Sequence, residues 1–111
     1  MENQNFGKAI EALKEGKLVQ RSGWNGKGMF LFMRPADSIT TGNIAKIKSL
    51  PQNVKDWIDK NIDDKTNPGE SGLTPVKFTA YICMKAADGS IVNGWLASQT
   101  DMLADDWQTI A

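Results

Sequence analysis

The chain has 111 residues, 41% of them hydrophobic, which supplies apolar surface for one core and too little for two. Thirteen basic and thirteen acidic side chains cancel, so the chain lacks the excess positive charge that captures nucleic-acid polymers through counterion release. Histidine is missing altogether, which removes the commonest general base, the commonest metal ligand and the usual partner of a Ser or Cys nucleophile.

The first residues, 1–9, are polar, and no stretch approaches the ~18 apolar residues of a spanning helix, so no membrane partner is expected. Asn5 is placed to cap a helix over residues 6–15, in which Phe6, Ala9, Ile10 and Leu13 recur at helical spacing and Gly16 supplies the stop. From Lys17 the pattern becomes β-like, with strands over 18–21 and 29–34 and Pro35 ending the run. Between them Asn25-Gly26 predicts a type I′ hairpin, because that turn needs positive φ at both central positions. Its register would set Trp24 opposite Lys27, Ser22 opposite Met29, Gln20 opposite Leu31 and Leu18 opposite Met33, all on one face. Val19, Phe30 and Phe32 would share the other face. Two apolar faces on one hairpin point to self-association.

Two short helices follow over 42–50 and 52–61, separated by Pro51, with Ile44, Ile47, Val54, Trp57 and Ile58 as their apolar positions. Residues 63–75 are rich in Asp, Asn, Pro, Gly and Ser and carry one apolar residue, Leu73, which predicts a loop. Residues 77–86 then alternate, with Phe78, Ala80, Ile82 and Met84 on one face, and Asp88-Gly89 turns the chain into a partner strand over 90–96. That register pairs Trp95 with Ile82 and Leu96 with Tyr81. Ser98 is positioned to cap a helix over 99–104, with Asp101 at its third position, before a last strand over 106–110. The expected fold class is α+β. It is a small single domain whose two antiparallel β-hairpins form a sheet, with an N-terminal helix and an inserted short helical segment.

Gly23, Gly26 and Gly28 around Lys27 suggest a phosphate loop, but Arg21 occupies the first glycine position and Gly28 stands where Ser or Thr is required. A tight turn accounts for these glycines, with Arg21 and Lys27 available to an anion. Trp24 and Trp95 each follow a glycine at the end of a β-ribbon, where an indole can pack into the core or lie across a flat ligand. Asn25 and Lys27, beside Trp24, must face water or a partner. Trp57 and Trp107 continue apolar periodicities and read as core. Asp63-Asp64 and the group Asp101, Asp105 and Asp106 read as solvated surface and helix capping rather than as a magnesium site or an acid–base dyad. Cys83 stands in mid-strand without a histidine to activate it and reads as an inert, half-buried thiol. A single cysteine cannot close a disulfide within the chain, in keeping with a reducing compartment, the cytoplasm.

Several segments together resemble the Thoeris anti-defence 2 family of small phage and prophage proteins. They are Asn5-Phe6-Gly7 leading into a helix, Gly23-Trp24-Asn25-Gly26-Lys27-Gly28-Met29, Gly94-Trp95, and the closing Asp101-Met102-Leu103-Ala104-Asp105-Asp106-Trp107. The resemblance implies a molecular sponge that binds glycocyclic ADP-ribose, the messenger made by TIR-domain immune enzymes, without degrading it. In some members cyclic dinucleotides are bound at a separate site. It further implies a homotetramer in the cytoplasm of the infected host, with no cofactor and no metal. Asn5, Phe6, Trp24 and Trp95 are the pocket walls it implies, with Arg34, Ser98, Thr100 and Asp101 joining them, and Arg21 and Asn25 completing the candidate ligand-binding set. Residues 37–76 match none of these segments and read as an insertion. Two other readings stay open: a metal-dependent phosphodiesterase using Asp101, Asp105 or Asp106, and a structural phage protein that only assembles.

Overall fold

A computed structural model describes residues 2–67 and 69–111. Met1, in the polar first segment, and Pro68, in the loop expected over 63–75, lie outside the described residues. The fold is α+β, and the described residues form four helices and two antiparallel sheets of five and two strands. The chain forms two compact units, Met1–Pro35 with Ala80–Ala111, and Ala36–Thr79.

In the first unit, helix α1 (Phe6–Lys14) starts where the Asn5 side chain accepts the Lys8 amide at 2.9 Å and ends before Gly16, whose φ of 84° reverses the chain. Its apolar stripe buries Ala9, Ala12 and Leu13 against Val19, Leu31 and Trp107, and this cluster is the core of the unit. The five-stranded sheet runs β6 (Ile91–Asn93), β5 (Tyr81–Lys85), β2 (Phe30–Arg34), β1 (Val19–Arg21), β7 (Trp107–Thr109), every neighbour antiparallel. The chain ahead of α1 extends it, since Gln4 and Trp107 exchange backbone hydrogen bonds of 2.7 and 3.0 Å. Helix α4 (Gln99–Leu103) opens on the capping box anticipated for Ser98 and Asp101.

Both hairpin registers differ by one residue from expectation along their paired strands, although the expected meeting of Trp95 with Ile82 occurs, the Trp95 amide bonding the Ile82 carbonyl at 2.7 Å. At the first turn Asn25 and Gly26 do adopt positive φ, 58° and 65°, but Ser22–Trp24 coil into a 3-10 turn instead of pairing with residues 27–29. Val19 therefore faces Leu31 across the sheet. A slip of one residue exchanges faces, and here it puts both fully buried side chains into the core, away from Phe30 and Phe32. At Asp88-Gly89 the Asp88 carboxylate accepts the Ser90 amide and hydroxyl at 2.9 and 2.6 Å, and the Ala86 amide bonds the Ser90 carbonyl at 2.8 Å. The loop gains a residue, and Met84 lies opposite Val92 rather than Asn93.

The single strand expected over 77–86 is two. Pro75–Phe78 is β4, paired with β3 (Asp37–Thr40) in the second unit, and β5 begins only at Tyr81. Of the four apolar positions expected on one face, only Ile82 and Met84 lie in β5. Cys83 is fully buried rather than half-buried, within 3.5 Å of the Asn93 side-chain oxygen.

The second unit contains β3, β4, helix α2 (Thr41–Ile44) and helix α3 (Gln52–Asn61), whose start after Pro51 agrees with the sequence. Helix α2 is one turn, shorter than the expected 42–50. Ile44 and Ile58 are buried, whereas Trp57, expected in the core, is 59% exposed because it falls beside the buried stripe of α3. Asp63, expected at the surface, is buried. Its carboxylate accepts the Thr41 hydroxyl, the Gly72 amide at 2.8 Å and the Ser71 hydroxyl at 3.0 Å, an arrangement that fixes the end of α3 and the following loop.

Candidate functional site

Trp107 is the centre of an aromatic cluster. Its indole is fully buried, and three half-buried rings pack around it: Phe6 at 5.3 Å between centroids, Trp24 edge-on at 5.4 Å, and Trp95 edge-on at 6.2 Å. Each satellite comes from a different connection. Phe6 is the first residue of α1, brought over β7 by the Gln4 bridge. Trp24 closes the 3-10 turn after β1. Trp95 follows Gly94, whose φ of 77° turns the chain so that the Trp95 amide bonds the Ile82 carbonyl at 2.7 Å. Trp24 and Trp95 thus have their inner edges in the core and the remaining surface accessible.

A charged clasp lies beside these rings. Arg21 Nε donates to Asp106 Oδ1 and Arg21 Nη1 to Asp101 Oδ1, both at 2.8 Å, with all three side chains no more than one quarter exposed. The Asp106 hydrogen bond raises the Arg21 pKa further, against the opposing effect of burial. Arg21 in turn holds the Asp106 carboxyl below the ordinary carboxylate range. Burial pushes Asp101 up, but hydrogen bonds from Ser98 and Arg21 outweigh it and leave this carboxyl lowered too. Asp101 Oδ2 accepts the Ser98 amide and hydroxyl at 3.1 and 2.8 Å, and its carbonyl accepts Trp107 Nε1 at 2.9 Å. Asp106 Oδ2 accepts the Gly23 amide at 2.8 Å.

Neither Asp101 nor Asp106 is thus a solvated surface carboxylate. Together they bracket the Arg21 guanidinium. Asp105 is exposed and lies beyond α4. Among the described residues no group of three or more Cys, Asp and Glu side chains is gathered to hold a metal.

The candidate residues divide accordingly. Phe6, Trp24 and Trp95 pack on Trp107, Arg21 pairs with it across β1 and β7, and Asp101 accepts its indole hydrogen, whereas Asn5 adjoins as the cap of α1 and Ser98 is bonded to Asp101. Asn25 is exposed at the tip of the Trp24 turn, in the left-handed conformation, and Thr100 is exposed in the first turn of α4. Arg34 stands apart: it ends β2 on the face opposite Leu31 and Met33, with its guanidinium 5.5 Å from the Tyr81 ring centre. Arg21 is not a free anion receptor, because one guanidinium already faces two carboxylates. Sequence reasoning missed Trp107 as the hub and Asp106 as the partner of Arg21. Their shared signal is the β1–β7 pairing of Arg21 with Trp107, which joins opposite ends of the chain and leaves no local pattern.

The sequence has counterparts among known proteins. The Tad2-like model, described as a Thoeris anti-defense 2-like domain, matches residues 4–110, and the chain belongs to that family. A relative named Thoeris anti-defense 2, from Bacillus phage SP01, is 37% identical over 107 residues, which cover 96% of this chain and 94% of the relative. The family description names opposition to a defence system and no reaction. No helix among the described residues is long and apolar enough to cross a membrane.

Proposed function

We propose that this protein opposes bacterial immunity by binding a cyclic nucleotide messenger, glycocyclic ADP-ribose from TIR-domain enzymes, and withholding it without chemical change. The observation that carries this reading is the set of three half-buried rings, Phe6, Trp24 and Trp95, held around one buried indole. Family membership gives the cluster its context. Rings anchored by their inner edges offer a rigid wall to a purine, and stacking on such a wall contributes about 1–3 kcal/mol per base.

Nanomolar capture needs roughly 12 kcal/mol, so enclosure and polar contacts must supply most of it. Asn5, Asn25, Ser98, Thr100 and Asp101 are the polar groups assigned to ribose and purine edges. With Arg21 already neutralised, the pyrophosphate must find its positive partner elsewhere, at Arg34 or Lys27. Arg34 lies on the other face of the sheet, which favours pockets completed by a second copy in a tetramer, as does the exposure of Leu96 and Leu103, 89% and 80%. Cyclic dinucleotides are the second ligand class assigned, at a separate site. The place of action is the cytoplasm of the infected host.

The test is incubation of purified protein with glycocyclic ADP-ribose, removal of the protein, and mass spectrometry of the nucleotide before and after heat release. The expected result is depletion at a fixed number of ligands per chain and recovery of the intact molecule. Cleaved product beyond one equivalent would establish a phosphodiesterase instead, and absence of depletion with any cyclic nucleotide would leave a purely structural protein.

A further inference from the structure

We infer that Asp106 is the positioning residue that sets the Trp24 indole for ligand, an inference that rests on the sequestration reading above. The 3-10 turn bearing Trp24 is three residues long and closes with the bond from the Asn25 amide to the Ser22 carbonyl, 3.0 Å, while the indole itself packs edge-on against Trp107. Asp106 adds two further holds on the backbone of that turn. Its carbonyl accepts the Ser22 amide at 3.0 Å and its Oδ2 accepts the Gly23 amide at 2.8 Å, so the two residues before Trp24 are both held from one point on the entrance to β7. A carboxylate receiving an amide makes a charge-assisted bond, stronger than a neutral one.

The fit around Gly23 is close. A Cβ at that position would sit 2.8 Å from Asp106 Oδ2, so the carboxylate reaches the backbone only because residue 23 has no side chain. The other oxygen of Asp106 binds Arg21, which crosses to Asp101, and Asp101 holds Ser98, three residues after Trp95. One chain of charged hydrogen bonds therefore links the turn carrying Trp24 to the segment carrying Trp95. Truncating the Asp106 side chain takes away the bond to the Gly23 amide and the bond to Arg21, while the backbone bond from the Ser22 amide to the Asp106 carbonyl stays, so the Trp24 turn loosens without being released.

The test uses full-length protein labelled with 5-fluorotryptophan, in which the Trp24 resonance is assigned by Trp24→Phe and Trp57 is the internal control. Asp106→Ala should shift or broaden the Trp24 resonance, leave Trp57 unmoved, and weaken capture of glycocyclic ADP-ribose about tenfold. Asp106→Asn keeps an oxygen acceptor for the Gly23 amide and should restore part of both. A folded Asp106→Ala protein whose Trp24 resonance and capture equal the parent's overturns the proposal, as does lost capture with an unmoved Trp24 resonance. Should Asp106→Ala fail to fold, Asp106→Asn and Gly23→Ala, which pushes the carboxylate away, are read by the same two criteria. If the parent protein captures no nucleotide, the sequestration reading fails by itself, and an unmoved Trp24 resonance in the variants then overturns the positioning role separately.

Discussion

Arg21 and Asp106 meet at 2.8 Å although 85 positions separate them in the chain. The contact exists because β7 pairs with β1, so the last strand returns beside the first and delivers a carboxylate to the guanidinium. Arg21→Ala should destabilise the protein by about 2 kcal/mol, since it leaves two largely buried carboxylates facing each other without a cation. Arg21→Lys should recover only part, because an ammonium cannot present the planar fork that reaches both partners. Urea denaturation of the three proteins, followed by circular dichroism, gives the comparison.

Acid acts on the same clasp. Asp101 and Asp106 both titrate below their ordinary value of 3.8 in the folded protein. A carboxyl lowered on folding stabilises the native state fully above its unfolded value, and that contribution is lost as pH falls through the folded one. The midpoint of thermal unfolding should thus respond little to these groups between about pH 5 and 7, and should fall below about pH 4. Asp63, Asp64 and Asp88 are lowered as well and add to the acid slope, so the informative quantity is the difference between parent and Asp106→Asn. Parallel curves for the two proteins would exclude Asp106 from the effect.

The two tryptophans that look alike in sequence should behave in opposite ways. Trp107 is completely buried, touches three aromatic rings and donates its indole hydrogen to the Asp101 carbonyl, so Trp107→Ala should cost about 3–5 kcal/mol. Trp107→Phe should cost less, keeping ring contact but losing the indole hydrogen bond and leaving the Ala104 amide, at 3.4 Å, as the partner of that carbonyl. Trp57, mostly exposed on α3, should change stability by under about 0.5 kcal/mol when replaced by Ala. Denaturant midpoints of the three variants test the contrast.

Local chemistry was legible in the sequence wherever a residue acts on its neighbours. Asn5 caps α1, Ser98 and Asp101 close a capping box, Pro51 starts α3, and Asn25 and Gly26 take positive φ, all decided within four positions of chain. What failed was decided at a distance. Register at the first hairpin followed the need of Val19 and Leu31 to enter the same core, not the turn dipeptide. Trp57 fits an apolar helical period, but burial on α3 is limited to the stripe that includes Ile58. Trp24 and Trp95 stand out in the sequence as separate Gly-Trp turns and Phe6 through a resemblance, whereas the convergence of the three rings on Trp107 depends on strand order and on the Gln4 bridge, for which no local signal exists.

Cys83 provides a probe that needs no substitution. Its side chain is fully buried in β5, between neighbours on β2 and β6, so a thiol reagent should reach it only when the sheet opens. Native protein should label slowly and protein in strong denaturant should label at once, at one thiol per chain. Rapid labelling under native conditions would mean that β6 detaches readily from β5.

Gly42 and Gly72 make a close backbone approach in the second unit, with the Gly42 amide donating to the Gly72 carbonyl at 2.8 Å. A Cβ on Gly42 would lie 2.9 Å from that carbonyl oxygen and 3.4 Å from the Gly72 Cα, both backbone atoms that cannot swing aside as a side chain would. The loop is also tied at the neighbouring positions, where the Thr41 amide bonds the Thr74 carbonyl at 2.9 Å and Asp63 holds the Gly72 amide at 2.8 Å. Gly42→Ala must therefore separate the start of α2 from the loop and strain these bonds together, at a cost of about 1–3 kcal/mol. Gly72→Ala adds the strain of a side chain at φ 85° to a milder clash, 3.3 Å from the Gly42 Cα. By contrast Gly69→Ala, at the same φ but in open space, bears the backbone strain alone, so it measures what must be subtracted from Gly72→Ala to leave the contact. Amide hydrogen exchange locates the damage: Thr41, Gly42 and residue 72 should lose protection in Gly42→Ala, while the amides of β1 and β7 keep theirs. Uniform loss across both sets would show instead that the two units unfold as one.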